Sequence, residues 1–177
     1  ASFSKPIIIL TGGEALLHKD IFEIIQYGKK LGLTMVISSC GITLDRETIL
    51  KLKDSGIKRV SISIDGKDAR THDFIRGEEG VFNKALKAIG LLKESKLEFQ
   101  INTTITKYNF NQVESILDLA IKWGAVSFHP FFLVPVGRAR YMEDAQLNAG
   151  QYEEILEKLF NRSLNSIFLR PICAPHY

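Results

Sequence analysis

Cysteine is scarce in this chain of 177 residues: only Cys40 and Cys173 are present. Two thiols cannot build a disulfide framework, and a reducing, cytoplasmic compartment is the expectation. Histidine is thin as well. His18, His72, His129 and His176 are scattered, which argues against a histidine metal site. No apolar run approaches the ~20 residues that a membrane-spanning helix needs, so no membrane span is expected. Ala1-Ser2-Phe3-Ser4-Lys5 lacks the basic and apolar regions of a secretory signal. Neither sign of charge dominates: 23 Lys and Arg stand against 20 Asp and Glu, for a net charge of +3. The basic residues are dispersed over predicted helix faces, so no nucleic-acid partner is expected. Low-complexity stretches and obvious linkers are also lacking.

What is present is a short apolar strand followed by an amphipathic helix, repeated. Strands are predicted at Pro6-Leu10, Thr34-Ser38, Arg59-Ile64, Glu98-Thr104 and Ala125-Phe132, each rich in Ile, Val, Phe or Thr and followed by turn residues. Most are apolar nearly throughout, as parallel strands covered on both faces should be. Helical stripes fall between them. Ile21, Phe22, Ile24, Ile25 and Leu31 form the first, with Asp20 as a first-turn acid. Ile49, Leu50 and Leu52 form the second, and Gly56 falls where a left-handed C-terminal cap belongs. Phe82, Leu86, Ile89 and Leu92 make the third. Val113, Ile116, Leu117 and Ala120 make the fourth, starting from Asn111 as a cap, and Trp123 at its end reads as core. Tyr152, Ile155, Leu156 and Leu159 lie on one side of a fifth helix over Gln151 to Phe160. This alternation predicts a parallel α/β sheet, either open or closing into a barrel.

Ligands of parallel α/β folds sit at the carboxyl ends of the strands. Those ends read Thr11-Gly12-Gly13-Glu14, Ser38-Ser39-Cys40-Gly41, Ser63-Ile64-Asp65-Gly66, Asn102-Thr103-Thr104 and Phe132-Leu133-Val134-Pro135-Val136-Gly137-Arg138. Two glycines after a buried strand let the backbone approach a ligand closely, and Glu14 follows at once. Carbonyls plus a carboxylate suit an ammonium group; a phosphate would need amide donors and positive charge. A tight turn with a solvated glutamate is the alternative. Ser63 and Asp65 alternate along the strand, so their side chains share a face. Asp65 is placed to accept hydrogen bonds from ribose hydroxyls, or else simply caps the turn before Gly66. Arg76-Gly77 is expected in the following loop, where Arg76 either pairs with a ligand carboxylate or lies on the surface.

Taken in order, strand–Thr-Gly-Gly-Glu, strand–Ser-Ile-Asp-Gly, then His72-Asp73 with Arg76-Gly77 and a helix, the chain resembles the radical S-adenosylmethionine (SAM) superfamily. It is most similar to members with a C-terminal extension for auxiliary iron–sulfur clusters, the SPASM or twitch type. The resemblance runs through almost the whole chain. It implies a partial (β/α)6 barrel with parallel strands, of which this chain supplies strands two to six without the first strand and the cluster loop. It implies a core over residues 1–166 and the start of an auxiliary-cluster region over 167–177. Carried over by position, Gly12, Gly13 and Glu14 hold the SAM amino group. Ser63 and Asp65 meet its ribose and methionyl parts, and Arg76 pairs with its carboxylate. Asn102 and Thr104 are polar positions of the next strand, and Val136 touches adenine. Ser39-Cys40-Gly41 stands where many relatives have Thr-Asn-Gly, with Ser39 in the cofactor-binding set. Ala15 replaces a usual proline. Cys173, between prolines in Arg170-Pro171-Ile172-Cys173-Ala174-Pro175-His176-Tyr177, resembles an auxiliary-cluster ligand, the alternative being a free cysteine.

The family's CxxxCxxC motif has no match here. This chain alone therefore cannot hold the redox-active 4Fe–4S cluster, and truncation explains that better than degeneration. What the resemblance implies for the full-length protein is reductive cleavage of SAM to a 5′-deoxyadenosyl radical. The electron would come from a donor such as flavodoxin or ferredoxin. The segments Phe131–Arg138, Gln151–Leu156 and Cys173–Tyr177 are similar to tetrapyrrole-modifying members, and peptide-modifying relatives share parts of them. The substrate is thus a tetrapyrrole or a peptide. A barrel aldolase or isomerase would need a catalytic lysine or paired carboxylates converging on the C-terminal edge of the sheet; no lysine stands at a strand end, and Lys67 lies beyond a turn. A degenerate barrel that binds a peptide or a partner subunit fits the missing cysteines, but fits less well with the retained Gly-Gly-Glu and Ser-Ile-Asp segments. An edge at Pro6-Leu10 invites pairing with another chain, so self-association, readable by sedimentation at micromolar concentrations, is expected.

Overall fold

The β-branched runs and the apolar stripes between them become alternating strands and helices in the computed structural model, which describes residues 5–163 and 167–174. The strands are β1 (Ile7–Leu10), β2 (Thr34–Ser39), β3 (Arg59–Ser63), β4 (Glu98–Ile105), β5 (Ser127–Phe132) and β6 (Phe168–Leu169). The helices are α1 (Ile21–Lys30), α2 (Arg46–Ser55), α3 (Ala69–Arg76), α4 (Val81–Glu94), α5 (Val113–Trp123) and α6 (Ala149–Ser163). Short 3-10 turns cover Ala15–Leu17, Phe110–Gln112 and Gly137–Ala145. The strands lie in one sheet in chain order, and the pairings of β1 with β2, β2 with β3 and β5 with β6 are parallel. This is the α/β architecture with parallel strands expected from the sequence. Among the described residues no helix is long and apolar enough to cross a membrane.

The chain groups into two compact units. The first takes residues up to Ser63 together with Asn83–Gln100. Its register sets Ile7 against Thr34 and Leu10 against Ile37, then Val36 against Arg59 and Ser39 against Ile62. Ile25, Ile37, Ile49, Leu52, Ile62 and Leu92 are fully buried there, each worth roughly 1.5–3 kcal/mol of apolar burial. Helix α2 is bounded as its sequence demands. Asp45 accepts the Thr48 N–H at 2.7 Å at its start, and Gly56 closes it in the left-handed region at φ +102°.

The second unit takes Ile64–Phe82 and Ile101 onward. Ile101, Ile105, Ile116, Leu117 and Phe128 have no exposed surface. Strand β6 sets Phe168 against Ser127 and Leu169 against Phe128, and Ile172 bridges to Phe131 just beyond.

Several expectations give way. A sixth strand, β6, lies inside the segment 167–177; two apolar residues carry too little pattern to signal it. The described residues therefore form six strands where the sequence pattern predicts five. Strand β1 is not covered on both faces, since Ile7 and Ile9 are 63% and 60% exposed. It stands at the end of the strand order with β2 as its one described neighbour, and Pro6 lies outside it. Ile24, Leu31 and Leu50 fall on exposed sides of their stripes, and Trp123 is half-buried. Asp20 occupies the N-cap position of α1 without a side-chain bond, and Glu23 is the first-turn acid. Asn111 does not cap α5. It lies within the preceding 3-10 turn, and Gln112 takes the N-cap position without a side-chain bond. Arg76 is not in a loop: it ends α3, which Gly77 closes at φ +70°.

Gly41 is required for a reason of packing. Its φ is +87°, and a Cβ there would stand 3.0 Å from the Ala85 Cα of α4. Gly124 shares the backbone angle, φ +86°, with nothing within 4 Å. Gly124→Ala should cost about 1 kcal/mol from the backbone alone. Gly41→Ala should cost about 1–3 kcal/mol more, because the helix backbone must move. Urea unfolding of both variants measures the difference, and equal losses would contradict the packing account.

Candidate functional site

In the first unit the chain leaves β1 through Thr11, Gly12 and Gly13, all exposed. Gly12 has φ +152°, and no atom lies within 4 Å of where a Cβ would project from either glycine. That is open space beside bare backbone. Glu14 follows as the N-cap of the 3-10 turn, extended at φ −136° and ψ 109°. Its Oε2 accepts two hydrogen bonds from Cys40, one from the backbone N–H and one from the thiol, both at 2.9 Å. Its Oε1 has a single long contact, the Leu16 N–H at 3.5 Å. A carboxylate oxygen accepts two bonds readily, so Oε2 is filled and Oε1 retains capacity. Ser39 is 3% exposed, and its Oγ accepts the Gly41 N–H at 3.0 Å. That hydroxyl is turned into the loop after β2. Ser63 ends β3, half-buried.

In the second unit a set of polar groups converges on Asp65, which is 2% exposed. Its N–H donates to His72 Nδ1 at 2.9 Å, and its carbonyl accepts from Asn109 Nδ2 at 2.8 Å. Its Oδ1 accepts the Thr104 N–H at 2.7 Å, and its Oδ2 pairs with Arg76 Nε at 2.6 Å. A buried carboxylate loses several kcal/mol of hydration unless paired and hydrogen-bonded, and here both oxygens are. Asp65 and Arg76, expected to meet a ligand separately, thus meet each other. The pair uses one of the five guanidinium donors. Asn109, with no exposed surface, also donates to the Thr104 carbonyl at 2.9 Å and accepts the Thr106 N–H at 2.7 Å. Gly66 makes the turn possible, because a Cβ there would stand 2.4 Å from the His72 nitrogen.

Four of the predicted positions, Asp65, Arg76, Thr104 and Val136, line one cavity of about 590 Å³ with Thr106 and Leu133. Asn102 lies on the same half-open face of β4 as Thr104, and its carbonyl accepts the Ile64 N–H at 2.9 Å. Val136 is 68% exposed.

Sequence reasoning missed His72 and Asn109 as supports of Asp65, and Cys40 as the partner of Glu14. Asn109 had a signal, since Thr106-Lys107-Tyr108-Asn109 after a strand reads as a side-chain-closed turn. His72 had none, because its contact depends on the close approach at Gly66.

The cysteines do not make a cluster site. Cys40 is half-buried and Cys173 exposed, and they belong to different units. Among the described residues no group of three or more His, Cys, Asp or Glu can hold a metal ion. Iron–sulfur clusters take several thiolates, so the described residues do not fit one. Cys173 sits at φ +61°, and its carbonyl accepts the Tyr152 hydroxyl at 2.8 Å; His176 lies outside the described residues. An ammonium-bearing ligand does fit the first unit, where Glu14 Oε1 stands in the segment beside the open backbone of Gly12 and Gly13.

Residues 2–120 match the sequence model described as the radical SAM superfamily. The chain is 43% identical over 174 residues to the AdoMet-dependent heme synthase of Nitratidesulfovibrio vulgaris, covering 98% of this chain and 47% of that protein. It is 43% identical over 178 residues to the AdoMet-dependent heme synthase of Methanosarcina barkeri, covering 100% of this chain and 50% of that protein. The chain thus spans about half the length of the curated relatives it matches. In fold it is similar to Streptococcus suis SuiB bound to S-adenosylmethionine, at a TM-score of 0.78 and 15% identity over 93% of this chain and 38% of that one.

Burial holds the His72 pKa below its ordinary value of 6.5; Asp65 opposes this and Arg76 reinforces it. The neutral ring is also the one that can accept the Asp65 N–H. Below about pH 6.5 the unfolded chain takes up a proton that the folded chain refuses, so stability falls as pH drops. His72→Asn keeps an acceptor without a titration. Thermal unfolding between pH 7 and 5 should show a shallower decline for the variant, and parallel curves would contradict the assignment.

Proposed function

This chain belongs to the radical SAM superfamily, and from that we propose that it binds S-adenosylmethionine within an enzyme acting on a tetrapyrrole precursor of heme. The observation that carries the binding reading is the Glu14 segment. An acceptor oxygen with capacity left stands beside two glycines whose backbone faces open space, which suits the ammonium of the methionyl end. The share of the second unit is its cavity, where Arg76 and Thr104 offer polar contact and Val136 an apolar surface. Ser39, Ser63 and Asn102 complete the proposed set. Ser39 and Asp65 act there by holding backbone and side chains in place, because both are buried and internally bonded. Residues 1–166 would form the binding core, with the auxiliary-cluster region starting at 167 and Cys173 as its first ligand.

S-adenosylmethionine supplies, on reductive cleavage, the 5′-deoxyadenosyl radical that takes a hydrogen atom from substrate. The residues of this chain orient the cofactor and keep water from it. The tetrapyrrole reading rests on the two heme synthases at 43% identity. The peptide reading has in its support the likeness in fold, at 15% identity, to Streptococcus suis SuiB bound to a precursor peptide and ranks second. A flavodoxin- or ferredoxin-type donor, a cytoplasmic setting and self-association through the exposed Ile7 and Ile9 of β1 belong to the same proposal.

The test uses the whole gene product, reconstituted anaerobically with iron and sulfide and given dithionite and SAM. Chromatography should find 5′-deoxyadenosine, formed faster when a heme-precursor tetrapyrrole is added. Glu14→Gln should weaken SAM binding by about ten- to a hundredfold, the weight of a charged hydrogen bond. Protein that holds a cluster yet forms no 5′-deoxyadenosine would favour a degenerate binding barrel.

A further inference from the structure

Among the described residues, Cys40 is the side chain that bonds to Glu14, and nothing in its residue type announces that role. The β1–β2 register sets Leu10 against Ile37, and the chain leaves the two paired strands toward Glu14 and Cys40. Glu14 then reaches across to both donors of that residue, the N–H and the S–H, each 2.9 Å from Oε2. We propose that Cys40 is a positioning residue for cofactor binding, which locks the Glu14 carboxylate so that Oε1 is presented to the ammonium of S-adenosylmethionine. The inference rests on the reading of Glu14 given above.

The physical case is one of geometry and competition. Free Glu side chains sample many rotamers, and ordering one costs free energy that the ligand must otherwise supply. Two donors on the same oxygen fix the carboxylate before the ligand arrives. Both approach Oε2, so neither occupies the oxygen left for the ammonium. The thiol is a weak donor. It steers the carboxylate without offsetting its negative charge as a lysine or arginine would. The Cys40 side chain is half-buried, which partly shields the bond from water. Replacing the thiol leaves the backbone N–H in place, which predicts a partial loss of affinity and not an abolition.

Two readouts on the whole gene product test this. The first is the S–H stretching band of Cys40 in the Raman spectrum, isolated as the difference between wild-type and Cys40→Ser protein. It should lie below its position in denatured protein, because the proton is donated to a carboxylate. The second is SAM affinity by equilibrium dialysis. Cys40→Ala should bind about three- to tenfold more weakly, the weight of one net hydrogen bond, and Cys40→Ser, which restores a donor, should recover most of the loss. An unshifted band overturns the inference, as does a Cys40→Ala variant that binds like wild-type while Glu14→Gln does not. Binding indifferent to Glu14→Gln, with the band still shifted, defeats the underlying reading of Glu14 instead.

Discussion

A carboxylate that is 2% exposed has almost no water to stabilise it, and Asp65 answers this with partners on every polar atom. That requirement organises the second unit. It explains why Gly66 cannot carry a Cβ, why His72 is buried and neutral, and why Asn109 is placed to donate twice. It also ties the turn at Asp65, helix α3 and strand β4 together, since Asp65, Arg76 and Thr104 come one from each. The cavity they line inherits its shape from this network.

The first unit solves a smaller version of the same problem. Glu14 is half-buried and is held by a residue on the neighbouring strand's exit. The parallel pairing of β1 with β2 sets the two strand exits on neighbouring strands. Site geometry thus depends directly on sheet pairing. By contrast, nothing among the described residues gathers three or more metal-ligating side chains.

Much of this was legible in the sequence because strands and long helices carry their own periodicity. Gly12-Gly13-Glu14 announced an acceptor beside open backbone, and three positions drawn from the strand ends, Asp65, Thr104 and Val136, do line one cavity together with Arg76. What stayed hidden lies in contacts that no local pattern encodes. Cys40 is 26 positions from Glu14, and only the pairing of β1 with β2 joins them. Arg76 read as a loop residue because α3 has only eight residues, few of them apolar, too short a run to mark a helix by pattern. Asp65 and Arg76 both looked like ligand contacts, since a sequence cannot show that two charged groups neutralise each other first. Strand β6 was invisible because Phe168-Leu169 is shorter than any period that could mark it.

The central claim is that this chain binds S-adenosylmethionine with its amino group on the Glu14 segment. A crystal structure of the whole protein with that cofactor bound tests it most directly. The account predicts the ammonium within hydrogen-bond distance of Glu14 Oε1 and of a Gly12 or Gly13 carbonyl, with Cys40 still on Oε2. A methionyl end bound elsewhere, with Glu14 and both glycines facing solvent, would contradict it.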